Sequence, residues 1–308
     1  LLVQNFTSAT NSYNVAMGHD AGRAVTTGIY NTLIGSLAGD ALSDADTNVA
    51  IGASSLTTDT KGSKSTAVGH SALEAQNFAS STITYNTAIG SDSGKAISTG
   101  IQNTLIGSST GDALTDADYN VAIGSFALTA DTKGSKSIAI GHSALGTQNL
   151  TSSTDIYNVA IGHQAGVAIT TAGTNTIIGG LAGATLSAAG SSNVILGFQA
   201  GNVVTTPSNT FLGTRAGAVI TSGEKNTIIG RYEGNSGGLD IRTSSNNIVL
   251  SDGDGNPRLI IDGDGDCAIG TTTDGVKLKV KQTTGGQVIT TFEHDAGSNP
   301  YGSYMLFS

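Results

Sequence analysis

A short apolar motif that ends in glycine recurs along the chain at nearly constant spacing. Asn14-Val-Ala-Met-Gly18 returns as Asn31-Thr-Leu-Ile-Gly35 and again as Asn48-Val-Ala-Ile-Gly52. Most copies follow the previous one at a 17-residue step, with single steps of 18 and 16 and two of 21. The glycines that end the motif are Gly18, Gly35, Gly52, Gly69, Gly90, Gly107, Gly124, Gly141, Gly162, Gly179, Gly197, Gly213 and Gly230. Such a repeat indicates a solenoid, in which each repeat is one coil that stacks on its neighbours.

Alternation within the motif indicates a β-strand. The residues one and three places before the glycine, such as Ile51 and Val49, are branched and share one face. The residue between them is Ala in most coils and a larger apolar residue in others, for example Leu33. Because this second face is also apolar, we expect a second chain to cover it. We predict that the glycines themselves form corners that need a positive φ or a close backbone approach.

A second short strand and a second corner are expected four residues after each glycine, at Gly39 or Leu56 for example. The asparagine that begins each motif is expected to stack on its neighbours as a ladder along the solenoid. A helical solenoid would need about ten residues of helical periodicity per helix, and these coils leave no room for them. The sequence therefore predicts an all-β fold, with a parallel β-solenoid of 17-residue coils over residues 1–251.

A longer, 72-residue period lies on top of the coil period. Tyr13, Tyr85 and Tyr157 occupy the same place in successive copies, and Asp59-Thr-Lys-Gly-Ser-Lys64 returns as Asp131-Thr-Lys-Gly-Ser-Lys136. The two 21-residue steps insert four residues near 77–85 and 149–157, in a row with 5–13. We expect these segments to protrude, either as tolerated surface loops or as repeated weak contacts to a glycan that gain strength from multivalency.

The chain changes character after Ser251, where the coil period ends. Residues 276–281 alternate as a strand with a basic face, and residues 287–292 indicate another strand. We therefore predict a second domain, 252–308, as a small β-rich neck or tip. Tyr301, Tyr304 and Phe307 crowd its last eight residues and are the candidate receptor contacts.

Composition narrows the classes of function. Charged residues make up 12% of the chain, about half the usual share, and the net charge is −9. A surface of this sign repels phosphate and anionic lipid, and there is no apolar run long enough to cross a membrane. We expect neither nucleic-acid binding nor membrane insertion. Cys267 stands alone, which excludes an intrachain disulfide, and it is expected to be a small buried apolar group.

Two acidic runs resemble calcium loops because their oxygen ligands alternate. The six candidate ligands are Asp252, Asp254, Asn256, Asp262, Asp264 and Asp266. Pro257 stands where such a loop needs glycine, and neither run has Glu at its twelfth place. A pair of polar turns is therefore favoured over a metal site. Calcium is the metal we predict if one is bound, and no other cofactor is expected.

Candidate catalytic groups have simpler interpretations. The carboxylate pairs Asp44/Asp46 and Asp116/Asp118 occupy equivalent places in the repeat, which favours a role in turns over acid–base chemistry on glycans. His19, His70, His142 and His163 all follow a corner glycine. Their spacing is interpreted as four coils or more, too far for one metal site. We predict that the chain is not an enzyme and has no catalytic residues.

These motifs resemble two known families. Coils such as Asn48–Gly52 resemble the head repeats of trimeric autotransporter adhesins, a left-handed parallel β-roll. Coils such as Asn31–Gly39 are similar to the shafts of phage tail fibres and tailspikes, and residues 247–271 resemble the neck that follows such shafts. The resemblance implies a homotrimer that displays a receptor-binding tip.

The leading hypothesis is a structural fibre protein of a virion, a tail-fibre shaft and adhesin that acts by reach, stiffness and multivalent attachment. Its expected partners are two further copies of the chain, other virion tail proteins, and a host-surface glycan or protein receptor. Its expected location is the virion or the extracellular surface. Two alternatives stay open: a bacterial surface adhesin or self-assembling extracellular filament, and a tailspike that degrades polysaccharide.

Overall fold

A computed structural model describes residues 9–270, 272, 279–282 and 288–291 of the 308-residue chain. Strands, turns and irregular backbone make up these residues, and no helix that could cross a membrane occurs among them. The strands are β1 (Val15–Met17), β2 (Thr32–Ile34), β3 (Val49–Ile51), β4 (Gly62–Ser63), β5 (Thr66–Val68), β6 (Thr82–Ile83), β7 (Thr87–Ile89), β8 (Thr104–Ile106), β9 (Val121–Ile123), β10 (Gly134–Ser135), β11 (Ile138–Ile140), β12 (Thr154–Asp155), β13 (Val159–Ile161), β14 (Thr176–Ile178), β15 (Val194–Leu196), β16 (Thr210–Leu212), β17 (Thr227–Ile229), β18 (Asn235–Ser236), β19 (Leu239–Asp240), β20 (Ile248–Ser251), β21 (Pro257–Ile261), β22 (Cys267–Ile269), β23 (Lys279–Gln282) and β24 (Val288–Thr291).

The chain divides into two compact units, Leu1–Asn175 and Thr176–Ser308. In the first unit nine strands pair in parallel in the order β1, β2, β3, β5, β7, β8, β9, β11, β13. Each pairing joins the same positions of successive motifs, so that Ala16 lies opposite Leu33 and Leu33 opposite Ala50. The predicted parallel β-solenoid with 17-residue coils is confirmed.

The middle residue of each strand forms the core of the coil. Leu33, Ala50 and Leu105 have no exposed surface, whereas Ile51 and Ile89 on the other face are 36% and 39% exposed. The expectation that a second chain covers the middle position is therefore wrong, because the coil folds back over that face itself. The face that lacks cover within the chain is the one that carries the branched residues beside the glycine.

The corner glycines have a shared reason for lacking a side chain. All thirteen have φ between +106° and +139°, a region that L-residues avoid. A Cβ at Gly35 would also lie 2.5 Å from the carbonyl oxygen of Gly52 in the next coil. The stacked coils thus approach each other through glycine backbone at this corner.

The second corner balances volume between neighbouring coils. Residues 36–41 form turns and not the predicted second strand, because the backbone enters the left-handed region at Leu37 and Gly39. A Cβ at Gly39 would lie 2.8 Å from Cδ2 of Leu33, which already fills this space. In the next coil the middle residue is the smaller Ala50, and Leu56 at the second corner is fully buried with φ +53°. Burial of a leucine, worth about 1.5–3 kcal/mol, offsets a left-handed conformation that costs about 1–2 kcal/mol.

A ladder of asparagine side chains runs along the core of the first unit. Oδ1 of Asn31 accepts the backbone N–H of Asn48 at 2.9 Å, and Nδ2 of Asn31 donates to the carbonyl of Ala45 at 2.8 Å. Asn103 repeats both contacts with Asn120 and Ala117. Each side-chain amide therefore bonds one backbone N–H of the next coil and one backbone carbonyl in the turn that leads into that coil. These bonds fix the register of each coil on the next.

The ladder is interrupted at Ser65 and Ser137, and a glutamine fills each gap. Gln76 Nε2 donates to Ser65 Oγ at 2.9 Å, and its Oε1 accepts Asn86 Nδ2 at 2.9 Å. Gln148 makes the equivalent contacts in the next copy of the long repeat. The 72-residue period is thus a period of the buried polar network as well as of the surface.

In the second unit β14, β15, β16, β17 and β20 pair in parallel, with the same asparagine ladder at Asn193, Asn209, Asn226 and Asn247. β20 is the last parallel strand, and β21, β22, β23 and β24 follow it in successive antiparallel pairings. The pairing thus changes at residue 251, where the sequence predicts a domain boundary, whereas the two compact units divide at residues 175 and 176.

Candidate functional site

The first unit presents an uncharged outward face. It consists of the first and third residues of its nine parallel strands. They are Val15, Met17, Thr32, Ile34, Val49, Ile51, Thr66, Val68, Thr87, Ile89, Thr104, Ile106, Val121, Ile123, Ile138, Ile140, Val159 and Ile161. None of them is charged, although the chain carries 23 acidic and 14 basic residues. Each acidic residue of this unit lies either elsewhere on its surface or, as with Asp59 and Asp131, in its interior.

A column of left-handed residues borders the outward face, one residue before each ladder position. We call it the tyrosine column: Tyr13, Tyr30, Thr47, Lys64, Tyr85, Gln102, Tyr119, Lys136, Tyr157 and Thr174. All ten have φ between +49° and +64°. The tyrosines are 46–63% exposed, and the rings of Tyr13 and Tyr30 stack with centroids 5.3 Å apart. Exposed aromatic rings in regular register are groups that proteins use for contacts with partners.

The opposite border of the outward face carries His19, His70, His142 and His163. His142 and His163 lie on adjacent coils, and their rings stack with centroids 5.4 Å apart. The interpretation that neighbouring histidines are at least four coils apart is therefore wrong for this pair, because a 21-residue step with its insertion still spans a single coil. Within the described part of the chain no group of three or more His, Cys, Asp or Glu side chains could hold a metal ion.

The four-residue insertions form exposed loops, each supported by a short parallel sheet. β4 pairs with β6 in the first insertion, and β10 pairs with β12 in the second. Phe78 and Leu150 bury their side chains and anchor the loops, while residues 79–81 and 151–155 are exposed. The predicted protrusions are thus present as ordered, hydroxyl-rich loops beside the tyrosine column.

The two insertions differ in the charge at their base. In the second, Lys136 Nζ lies 2.6 Å from Asp155 Oδ2 and 5.4 Å from the centre of the Tyr157 ring. In the first, Lys64 Nζ lies 5.3 Å from the centre of the Tyr85 ring. Ile83, which is 50% exposed, stands where the second copy has Asp155. Both lysines thus lie over a tyrosine ring, and of the two only Lys136 is neutralised by a carboxylate at the insertion.

The Asp155 and Lys136 pair also moves the titration of both groups. The hydrogen bond from Lys136 lowers the pKa of the Asp155 carboxyl, and the bond to Asp155 raises the pKa of the Lys136 ammonium. Both side chains therefore keep their charge throughout the neutral range, and the second copy stays closed by this ion pair.

The acidic runs of the second unit form turns between antiparallel strands. Asp252 Oδ1 accepts the backbone N–H groups of Asp254 and Asn256, and Asp262 Oδ1 accepts those of Asp264 and Asp266. Arg258 adds an ion pair to Asp252. The structure thus accounts for both runs as polar turns, the interpretation that the sequence favours, and the choice of calcium as the metal if one is bound at these six residues is not tested by it.

The remaining candidates take structural positions or fall outside the described residues. Asp46 and Asp118 each accept a backbone N–H from the preceding coil, of Ile29 at 2.9 Å and of Ile101 at 2.8 Å. The expectation that Cys267 is buried is wrong, since it is half-exposed on β22, an antiparallel strand beyond the coils. The candidate receptor contacts Tyr301, Tyr304 and Phe307 lie outside the described residues.

Sequence reasoning missed the buried polar pairs Asp59–Gln76 and Asp131–Gln148. All four side chains have no exposed surface. A signal was available, because the position eleven residues after the ladder position is apolar in neighbouring coils and polar only at these places in the first unit. The residues of that column are Val25, Leu42, Asp59, Gln76, Ile97, Leu114, Asp131, Gln148 and Ile169.

No family model, curated protein or solved structure matches the chain.

Proposed function

We propose that this chain is a structural fibre protein of a virion, the shaft of a tail fibre that assembles as a homotrimer and attaches the particle to a host surface. It acts outside the cell, and its partners are further copies of itself, other tail proteins and a glycan or protein receptor. The proposal includes no catalysed reaction.

The observation that carries the proposal is the uncharged outward face of the first unit. Nine strands at a spacing of about 4.8 Å give a face about 40 Å long. Apolar patches of this extent are uncommon on monomeric proteins, and the centres of interfaces are depleted of charge. Identical chains arranged around one axis in the same register would place these residues against each other without bringing like charges together.

The regular coils support a mechanical role. Each coil is joined to the next by a strand pairing, a glycine corner and, in most coils, an asparagine bond, so load along the solenoid is shared by many equivalent contacts. A shaft that positions several weak binding sites needs this stiffness, because multivalent attachment depends on geometry that lets the sites engage together.

The test is the native mass in solution by light scattering, with electron micrographs of the same sample. A mass of three chains in short discrete rods is the expected result, and a monomer would overturn the proposal. Long filaments would favour the self-assembling adhesin instead. Loss of viscosity on incubation with a panel of host polysaccharides would favour the degrading tailspike.

A further inference from the structure

We propose that Lys64, Tyr85 and the adjoining insertion loop form a binding site for the carboxylated sugars of an acidic polysaccharide, and that Asp155 closes the equivalent site in the next copy of the long repeat. The inference rests on the proposed role in surface attachment. It names the chemical class of the receptor and the part of the shaft that contacts it.

The closed copy shows which interactions the site can make. Lys136 donates to Asp155 Oδ2 at 2.6 Å and to the phenol oxygen of Tyr157 at 3.4 Å, and Tyr157 donates to Asp155 Oδ2 at 3.2 Å. The carboxylate of Asp155 is thus held by an ammonium and a phenol at once. Lys133 also has an acidic neighbour there, Asp116 at 3.8 Å.

The open copy has the same ammonium and phenol without the carboxylate. Lys64 is exposed and lies over Tyr85, and neither Lys64 nor Lys61 forms an ion pair within the described residues. Ile83 replaces the acid. A carboxylate supplied by a ligand can therefore take the place that Asp155 takes in the second copy, with the same two donors.

The surroundings of Lys64 fit a sugar better than a small inorganic anion. The exposed Ile83 side chain and the 54% exposed Tyr85 ring offer apolar surface to the C–H groups of a pyranose. Ser80 and Ser81 on the insertion loop present exposed hydroxyl groups to its hydroxyls. Asp46, on the neighbouring coil, accepts a hydrogen bond from the backbone N–H of Ile29 and forms no ion pair with Lys64, so it does not take the place of the ligand's carboxylate.

The difference between the two copies makes the site specific to a charged polymer. A neutral sugar would meet the same kind of tyrosine ring and loop hydroxyls in both copies, and only its apolar contact with Ile83 would differ. An acidic sugar meets a free ammonium at Lys64 and an occupied one at Lys136. A single such contact is weak, and three copies of the shaft would raise the overall affinity by multivalency.

The experiment exchanges the two copies within the full chain. Binding of alginate, hyaluronate and polysialate is measured by calorimetry, with dextran as the neutral polymer. Ile83→Asp installs the acid of the closed copy and should weaken binding about tenfold, the effect of losing one charge-assisted hydrogen bond. Asp155→Ile should open the second copy and raise the number of sites per chain from one to two.

Each result has a defined meaning. Binding of the acidic polymers that falls with Ile83→Asp and gains a second site with Asp155→Ile supports the proposal. Binding of none of the three polymers, equal binding of dextran, or binding that ignores both substitutions overturns it. Ile83 in β6 and Asp155 in β12 are exposed and are not among the residues of the outward face, so native mass and micrographs of the same variants report on the fibre separately. Trimeric rods that bind no acidic polymer would sink this inference alone.

Discussion

The side-chain amide of Gln76 donates a hydrogen bond to Oδ2 of Asp59 at 2.5 Å, with both side chains fully buried in adjacent coils of the first unit. The same amide donates to Ser65 Oγ, so one glutamine joins a carboxylate to the interrupted asparagine ladder. In most neighbouring coils this column holds Leu, Ile or Val. At this place a connected polar network replaces the apolar packing of the neighbouring coils. Such a network stabilises the fold only while each of its polar groups has a hydrogen-bond partner.

Gln76→Leu should destabilise the chain by about 2–4 kcal/mol, because it removes the donor to Oδ2 of the buried Asp59 carboxylate and one of the partners of the Ser65 hydroxyl. The measurement is the free energy of unfolding in urea. The matched control is Ile97→Leu, at the same column one coil further along and equally buried, which should cost less than about 1.5 kcal/mol. Equal effects of the two substitutions would contradict a role for the network.

The free energy of unfolding should change with pH in part because of Asp59. Burial raises the pKa of this carboxyl above its ordinary value, against hydrogen bonds from Gln76 and backbone amides that act in the other direction. The folded chain therefore holds the proton more tightly than the unfolded chain does. This component stabilises the fold below the unfolded pKa of about 3.9 and is lost as pH rises through the folded pKa.

Urea unfolding of the wild-type chain and of Asp59→Asn at a series of pH values tests this component. The wild-type chain should lose free energy of unfolding relative to the variant as pH rises from about 4. Asp44→Asn, which removes an exposed carboxyl on the neighbouring coil, is the control. A difference between wild type and Asp59→Asn that does not change with pH would show that Asp59 has an ordinary pKa.

The coil register could be predicted from sequence because it is set by local rules. Gly35 and Asn31 recur at fixed places, and each is required by a contact with the next coil that most coils share. The direction of the faces could not be predicted, since Leu33 and Ile34 are equally apolar. Only closure of the coil decides that Leu33 points inward, and closure depends on turns whose left-handed residues, such as Leu37, carry no sequence signal.

The candidate site was only half visible in the sequence. The insertions at 77–85 and 149–157 stand out because they break the 17-residue step, and the structure exposes their loops. The contrast between Ile83 and Asp155 is one of several differences between the two copies. The sequence does not show that this difference changes the charge beside a lysine, because Lys136 and Asp155 are separated along the chain. The structure shows it, since the two side chains meet across adjacent coils at 2.6 Å.

Replacing a ladder asparagine by aspartate should destabilise the fold in a pH-dependent way. In Asn103→Asp one oxygen can still accept the Asn120 amide, but the other faces the Ala117 carbonyl, which now receives no donor. The cost at neutral pH should be about 3 kcal/mol or more, since Asn103 is fully buried. Acidic pH should restore part of the lost stability, because a protonated carboxyl can donate a hydrogen bond to the Ala117 carbonyl. Asn246→Asp, the same change at an exposed position, should have little effect on urea unfolding at any pH.

Calcium should leave the thermal stability of the second unit unchanged. Hydrogen bonds from Asn256 and Arg258 hold the pKa of Asp252 well below its usual range, so this carboxylate is ionised and already surrounded by donors. A calcium ion would have to displace Arg258 from it. The check is the unfolding midpoint with added calcium and with a chelator. A rise with calcium that Asp252→Asn and Asp262→Asn abolish would establish the metal site instead.

A charge placed on the outward face should disrupt association of the chains without unfolding them. Ile89 lies near the centre of that face and is 39% exposed, so a glutamate there can reach solvent in a single chain. In a trimer with identical chains in register, Ile89→Glu would bring three carboxylates together in an apolar interface and leave them without partners. The native mass by light scattering should fall from three chains to one, while the circular dichroism spectrum keeps its β-sheet form. Ser81→Glu, which adds the same charge on an exposed loop, should leave the mass at three chains. An unchanged mass for Ile89→Glu would mean that this face is not where the chains meet.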